Sequence, residues 1–157
     1  MDTVIQKSAF RLTLPGKWEA EAPEKANFWS FGTANGHESL TVSLFAFKKR
    51  LNPHEQRATV DRMVEQHRKV QSKPAGVTPL TLTDTTYGEQ GGNAAARYGG
   101  VEPARNRRFH ALLLCSPVAV TVFYYEAIEL SEAESTARAR AIMNSIDVPT
   151  KFAAEAK

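Results

Sequence analysis

The sequence predicts an α+β fold, in which an antiparallel sheet of six to seven strands is flanked by helices as a three-layer α/β/α sandwich. Three observations support this prediction. Short segments with alternating polar and apolar residues are separated by tight-turn signals, which is typical of antiparallel hairpins. Two longer segments repeat their apolar residues at helical spacing. The last two predicted strands are apolar on both faces, so a layer is expected to cover each side of the sheet.

The strands of the first third are separated by turn residues. Phe10, Leu12 and Leu14 alternate with polar residues and run into Pro15-Gly16, which ends the first strand. Two further strands, at 27–32 and 38–47, flank the hairpin signal Asn35-Gly36. The far half of the strand at 38–47 is apolar on both faces. We therefore expect both of its faces to be covered there.

The two helices begin at recognisable capping sequences. Asn52 is expected to cap the first helix, with Pro53 at its first position and Glu55 three residues after the cap. This helix is expected to end before a loop at 74–76. The second helix spans 131–146 and begins with the capping box of Ser131–Glu134. Between the helices the pattern predicts four strands, at 80–86, 94–100, 107–115 and 118–127, with a tight turn at Ser116-Pro117.

Length, charge and targeting signals place limits on the class of protein. The chain of 157 residues is expected to be a single domain, with an ordered core over about 8–149 and a C-terminal tail at 150–157. The net charge of +3 is a mild excess, so nucleic acid is not an expected partner. The first ten residues lack the basic and apolar regions of a secretory signal, and Cys115 is the lone cysteine. We therefore expect a cytoplasmic protein without membrane insertion.

The sequence contains no recognisable catalytic, cofactor or metal-binding constellation. None of the four histidines has a partner at metal-ligand spacing. Cys115 ends an apolar strand, where burial makes a thiol unreactive. The glycines of the YGEQGGN segment fit no phosphate-binding spacing and are interpreted as a hairpin loop. We therefore predict no catalytic residues, no cofactor and no metal, and expect a protein that is not an enzyme.

Two groups of residues are candidates for binding a partner. Trp18, Phe28, Trp29 and Phe31 fall in one short region. In a strand, Trp29 and Phe31 share one face and Phe28 the other, so one set is expected in the core and the other in an exposed patch. Pure packing remains the alternative, because aromatic residues dominate both cores and interfaces.

The second group is basic. Arg105, Arg107 and Arg108 lie close together in the sequence. With Arg97, they are expected to line one end of the sheet. Such an edge would suit a small-molecule or nucleic-acid ligand, whereas solvated surface charges are the alternative interpretation.

The order of elements resembles the PsbP-like and DcrB-like α/β/α sandwich family. The resemblance rests on the opening FRLTLPGKW, the hairpin of 28–47, one central helix and a final helix ending AIMNSIDV. It covers nearly the whole chain and implies the fold rather than a reaction. Relatives include photosystem accessory proteins, a Ran-binding nuclear transport factor and bacterial proteins associated with type VI secretion, among them adaptor-chaperones that hold effectors. The resemblance supplies no catalytic residues.

These observations lead to one main hypothesis and two alternatives. The main hypothesis is a non-catalytic protein-binding module of bacterial secretion, acting on a toxin as an immunity protein or on a secreted effector as an adaptor-chaperone. A homodimer is compatible with it. The first alternative is an accessory protein that binds a small molecule or nucleic acid at the basic sheet edge. The second, an enzyme, has no supporting constellation.

Overall fold

The structure is a computed structural model that describes residues 1–21, 25–72 and 80–149. Its two helices are α1 (Pro53–Ser72) and α2 (Glu132–Ser145), and a 3-10 helix at Pro103–Arg105 lies between two strands. No helix in these ranges has the length and apolar character needed to cross a bilayer. The strands are β1 (Thr3–Gln6), β2 (Arg11–Leu14), β3 (Glu19–Ala20), β4 (Phe28–Gly32), β5 (Glu38–Ala46), β6 (Thr81–Leu82), β7 (Thr86–Gln90), β8 (Asn93–Glu102), β9 (Arg107–Cys115) and β10 (Ala119–Ile128).

The main sheet is antiparallel and confirms the predicted α+β fold class. Its strands follow the order β3-β4-β5-β10-β9-β8-β6, and β7 also pairs with β8. It has eight strands rather than six to seven, because the short strands β3, β6 and β7 extend its two edges. The long strands β9 and β10 lie inside the sheet, as their continuous apolar sequences predict, and β8 lies beside β9.

The two faces of the sheet carry separate cores, which confirms the three-layer arrangement. On β9, alternation sends Leu112 and Leu114 to one face and Leu113 to the other. Leu112 and Leu114 belong to the α2-side core, which is covered by α2 and β2. Leu113 belongs to the α1-side core, which is covered by Val60 and Val64 of α1.

The first predicted strand lies outside the main sheet. It forms β2, which pairs with β1 in a separate two-stranded sheet. That sheet is tied to the end of α2 by two backbone hydrogen bonds between Arg11 and Asp147, of 2.9 and 2.8 Å. A strand therefore lies before residue 8, and its hydrogen-bonding partner is β2. The predicted tail at 150–157 and the predicted loop at 74–76 lie outside the described residues.

The strand predicted at 80–86 is replaced by two shorter strands. β6 pairs with the end of β8, and β7 pairs with its beginning. The YGEQGGN segment, interpreted as a loop, contains most of β7. Its turn is made by Gly91 and Gly92, whose φ angles of 60° and 83° favour glycine. The glycines of this segment favoured the interpretation of a loop. Only Gly91 and Gly92 form the turn, and the residues before them belong to β7.

Candidate functional site

The aromatic cluster predicted as a partner surface lies largely in the core. Trp18 is only 5% exposed and Phe31 only 2% exposed. The indole Nε1–H of Trp18 donates to the Pro15 carbonyl at 2.8 Å, so its polar atom is satisfied within the chain. The prediction that Trp18 and Phe31 contact a partner is therefore corrected, because neither ring reaches the surface.

Strand alternation in β4 separates the other two aromatic rings. Trp29 is half-buried on the α2-side face, where it packs edge-on against Phe10 with ring centroids 5.1 Å apart. Phe28 lies on the opposite face and is exposed. Phe28 is therefore the member of the cluster that still qualifies for a partner surface.

The sheet face that carries Phe28 extends beyond the cover provided by α1. A helix with its side chains is about 10 Å wide, and neighbouring strands are about 4.8 Å apart, so one helix covers about two strands. Here α1 packs over β8 and β9. Phe45 of β5 stays 50% exposed. The expectation that both faces of β5 are covered is therefore wrong, because α1 does not extend over this strand.

A groove of about 420 Å³ runs between β5 and α1, and we call it the β5–α1 groove. Phe28 adjoins it, because Phe28 is the register partner of Ser43 in the groove wall. None of the described residues that line the groove is Asp, Glu, Lys or Arg. The lining residues are Thr41, Ser43, Phe45, Met63, Gln66, His67, Val70, Gln71, Leu113, Val122 and Tyr124.

Large apolar side chains are concentrated at the rim of this groove. Val70 of α1 is 65% exposed and faces the groove together with Phe45. Phe28 extends this apolar surface on the neighbouring strand. Val4 and Tyr87 are also exposed, but Val4 lies in the two-stranded sheet and Tyr87 lines a different pocket. The groove therefore combines three exposed apolar residues with an uncharged lining.

The polar groups in the groove remain neutral near pH 7. Burial lowers the pKa of His67, whose Nδ1 contacts the Tyr98 hydroxyl. Burial and, secondarily, the charge of Glu126 raise the pKa of Tyr124 to about 12. A neutral imidazole and a protonated phenol leave the groove without a formal charge, which suits an apolar ligand surface.

The predicted basic edge is divided between the two faces of the sheet. Arg107 points to the α1 side and pairs with Glu102 at 2.8 Å and with Glu126 at 2.7 Å. Arg105 is exposed beyond the end of β8, 3.7 Å from Glu102. Neighbouring positions on β9 face opposite ways, so Arg107 and Arg108 lie on different faces and these arginines do not form one continuous surface.

Arg97 and Arg108 instead share the α2 side, where Arg97 bonds Asn144 near the end of α2 and Arg108 bonds the Leu130 carbonyl before its start. They line a cleft of about 410 Å³ between α2 and strands β8 and β9, together with His110 and Arg140. We call it the α2–sheet cleft. His110 and Arg140 were not singled out from the sequence. Strand alternation does place Arg108 and His110 on one face, but only the tertiary position of α2 brings Arg140 to them.

Metal ligands and the cysteine thiol are two further kinds of reactive group to consider. Among residues 1–21, 25–72 and 80–149, no group of three His, Cys, Asp or Glu side chains could hold a metal ion. Cys115 is buried, and burial raises the pKa of its thiol to about 11. The thiol therefore stays protonated near neutral pH, when it is a poor nucleophile.

Comparison with known proteins gives matches at the level of structure. No family model and no curated protein matches the chain. The cyanobacterial PsbP (CyanoP) of Synechocystis sp. PCC 6803 is similar with a TM-score of 0.66 and 14% identity, over 95% of this chain and 92% of its own. LpqN of Mycobacterium tuberculosis, which is involved in cell envelope biogenesis, is similar with a TM-score of 0.58 and 14% identity, over 95% of this chain and 91% of its own.

A third structure shares the fold within a longer chain. This protein of Bacteroides thetaiotaomicron VPI-5482 is similar with a TM-score of 0.54 and 10% identity, over 89% of this chain and 45% of its own. At such identities the likeness concerns the fold alone, and it does not extend to the DcrB-like or secretion-associated part of the resemblance. The sheet order, the two covering layers and these neighbours together identify the chain as a protein with a PsbP-like fold.

Proposed function

We propose that this protein is a non-catalytic accessory protein that binds an apolar segment of another protein in the β5–α1 groove. The observation that carries the proposal is the open apolar face of β5, where Phe45 is half exposed beside Val70. Burying one large apolar side chain contributes about 1.5–3 kcal/mol, so a partner that covers Phe45 and Val70 would gain substantial free energy.

The shape of the groove favours a helical ligand. One wall is a helix and the other is a strand, and the floor is formed by Leu113, Val122 and Tyr124. An amphipathic or apolar helix placed between such walls presents anchors to both of them. The neutral lining supports an apolar ligand face over a charged one, because a charge would lose its hydration there without gaining an opposite charge.

This chemistry favours one of the two partner classes expected from the sequence. A secreted effector with an apolar helix would be shielded by the groove before export, which is the role of an adaptor-chaperone. An immunity protein has to complement the active site of a toxin, and a basic toxin would require an acidic inhibitor. Neither the uncharged groove nor the net charge of +3 provides such an acidic surface. We therefore propose an effector rather than a toxin as the partner.

Site-specific cross-linking in the native host tests the proposal. Phe45 is replaced by p-benzoylphenylalanine, and the matched control carries the same group in place of Tyr87, which is 58% exposed outside the groove. We expect position 45 to cross-link one discrete protein that contains an apolar helix, and position 87 to give no such product.

Three outcomes of this experiment would contradict the proposal. Equal cross-linking from positions 45 and 87 would indicate non-specific contact. A product with twice the mass of this chain would make the groove a homodimer interface instead. Capture of a toxin whose activity is inhibited by this protein would assign the immunity role.

A further inference from the structure

The imidazole of His67 is held between two phenol rings at the wall of the β5–α1 groove. The register of the sheet places Tyr98, Ala111, Tyr124 and Thr41 in one lateral row across β8, β9, β10 and β5. The His67 ring centroid lies 5.5 Å from that of Tyr98 and 5.9 Å from that of Tyr124. Because Ala111 has only a small side chain, the sheet leaves room for the imidazole between the two larger residues.

The contact with Tyr98 determines which nitrogen of His67 carries the proton. The Tyr98 side chain is buried, and His67 Nδ1 is the one hydrogen-bonding partner of its hydroxyl among the described residues. Burial raises the pKa of Tyr98, so the hydroxyl keeps its proton. If Nδ1 were the donor, that hydroxyl proton would have no acceptor. The hydroxyl therefore donates to Nδ1, and the neutral imidazole carries its proton on Nε2.

The order of the strands directs this Nε2–H towards the groove. Tyr98 lies on β8 and does not line the groove, whereas Tyr124 and Thr41, on the other side of β9, do line it. The two nitrogens of an imidazole point in nearly opposite directions, so an Nδ1 that faces β8 leaves Nε2 facing β10 and β5. Within the ranges that the structure describes, Nε2 has no hydrogen-bonding partner.

The other polar groups of the groove do not select a ligand in the same way. The Tyr124 hydroxyl accepts a hydrogen bond from Arg107 Nη1 at 3.2 Å and donates to Glu126 Oε2 at 3.4 Å, so it is already engaged. The remaining polar side chains of the lining are the hydroxyls and amides of Thr, Ser and Gln residues. Each of these groups can donate or accept, so each fits either kind of ligand atom. His67 Nε2–H alone is committed to donating.

We propose that His67 selects the partner of the β5–α1 groove by donating its Nε2–H to an uncharged side-chain oxygen, from a Ser, Thr, Asn or Gln among the apolar residues of the partner helix. This inference rests on the proposed function. An apolar group at that point would remove the N–H from water without giving it an acceptor, which weakens binding. A carboxylate would lose its hydration in an uncharged groove, so a neutral acceptor fits better.

The same geometry makes partner binding depend on pH. Apart from the two phenols, the nearest charged groups are Arg68, whose guanidinium lies 5.1 Å from the centre of the Tyr98 ring, and the Arg107–Glu126 pair. Burial lowers the pKa of His67, and a ligand that covers the ring removes more water and lowers this pKa further. Binding should therefore be strongest while His67 is neutral and should weaken as pH falls through the pKa of the uncovered residue.

Affinity measurements with the partner captured through position 45 test the proposal. His67→Phe removes the donor, and we expect the dissociation constant to rise about tenfold. His67→Gln keeps an N–H donor near the position of Nε2, so the rise should stay within about threefold. His54→Phe, at an exposed position of α1 outside the groove, is the matched control and should leave the affinity unchanged. Thermal unfolding of each variant checks that the fold is retained.

Two further readouts would not respond to a merely structural role of His67. Between about pH 8 and about pH 5, the affinity of the native protein should fall, while that of His67→Gln should stay flatter because the variant lacks the titrating group. In a double-mutant cycle, one Ser, Thr, Asn or Gln of the partner helix should weaken binding when replaced by Ala. The same replacement should have little effect on binding to His67→Phe.

Nitrogen NMR of the free protein tests the starting point without any partner. With ¹⁵N-labelled histidines, the resonance that is missing in His67→Gln should show the Nε2–H form, and Tyr98→Phe should give a mixture of both tautomers. An Nδ1–H form in the native protein overturns the proposal. It is also overturned if His67→Phe binds as tightly as His54→Phe, or if no side chain of the partner helix is coupled to His67. Failure to capture any partner at position 45 instead counts against the proposed function itself.

Discussion

At the scale of single residues, the buried carboxylate of Glu38 connects several elements of the fold. It accepts a hydrogen bond from the Tyr125 hydroxyl at 2.6 Å and from Arg138 Nη2 at 2.8 Å, and it also contacts Arg138 Nε. Arg138 Nη2 donates in addition to the Pro15 carbonyl at 3.0 Å. One charged pair thus connects β5, β10, α2 and the turn after β2. Its role is structural, because both carboxylate oxygens are occupied within the chain.

Removing the cation of this pair should destabilise the fold. Arg138→Met leaves Glu38 buried without its counter-charge, and we expect the free energy of unfolding to fall by about 2–3 kcal/mol. This expected loss is no larger than the smallest losses typical of breaking a fully buried ion pair. The reason is that 33% of the Arg138 side chain is exposed to solvent, which screens the charge. Urea denaturation measures the change.

The control for this prediction lies on the same helix. Arg140→Met removes an exposed arginine that has no hydrogen-bonding partner among the described residues, so it should change stability little. Equal losses from the two variants would show that the pair with Glu38 contributes nothing beyond the properties of an exposed arginine.

At the scale of secondary-structure elements, α1 begins as the sequence predicts. Asn52 Oδ1 accepts a hydrogen bond from the Glu55 backbone N–H at 2.8 Å, and Glu55 Oε1 accepts one from the Asn52 backbone N–H at 3.0 Å. This is a reciprocal capping box. The hydrogen bond that the Asn52 backbone N–H donates to the Glu55 carboxylate is the main cause of the lowered pKa of Glu55. The hydrogen bond from Lys49 is the next cause. Local sequence determines this start because every partner lies within a few residues.

Loss of the cap should weaken α1 by a predictable amount. Asn52→Ala removes the acceptor for the Glu55 N–H, and we expect a loss of about 1 kcal/mol in the free energy of unfolding. Chemical denaturation provides the measurement. His54→Ala, at an exposed position within the first turn, is the matched control and should cost much less. A loss from Asn52→Ala no larger than that of the control would refute the capping role.

The lateral position of α1 could not be predicted from its sequence. The stripe that includes Val60 and Val64 shows which side of the helix is buried, but not which strands it meets. Those strands, β8 and β9, come later in the chain. Because α1 packs on β8 and β9, one face of β5 is left uncovered. Phe45 alone therefore carried no sequence signal that distinguished it from a core residue.

At the scale of the whole molecule, the fold was more predictable than the candidate sites. Alternation and turn residues predict the antiparallel sheet, the two helices and the three layers, all of which are confirmed. The separate sheet of β1 and β2 was not predicted. The alternation of polar and apolar residues in a strand is the same whether the strand pairs inside or outside the main sheet. The burial of Trp18 was undecided for a similar reason, since its contacts with Pro15 and Tyr125 depend on tertiary packing.

The two candidate sites occupy opposite faces of the molecule and differ in chemistry. The β5–α1 groove is apolar and uncharged, whereas the α2–sheet cleft gathers Arg97, Arg108 and Arg140. The intervening sheet has two cores packed against it. A substitution in the β5–α1 groove should therefore leave the opposite face unaffected.

The central claim, that the β5–α1 groove binds a partner protein, is tested most directly by the dissociation constants of paired surface variants. The partner captured through position 45 is titrated against Phe45→Ser and Val70→Ser, with Tyr87→Ser and Val4→Ser as controls of similar exposure, 58% and 54%. We predict that each groove variant weakens binding about tenfold or more while each control changes it less than about twofold. Equal effects in the two pairs, or unchanged affinity in both groove variants, would contradict the claim.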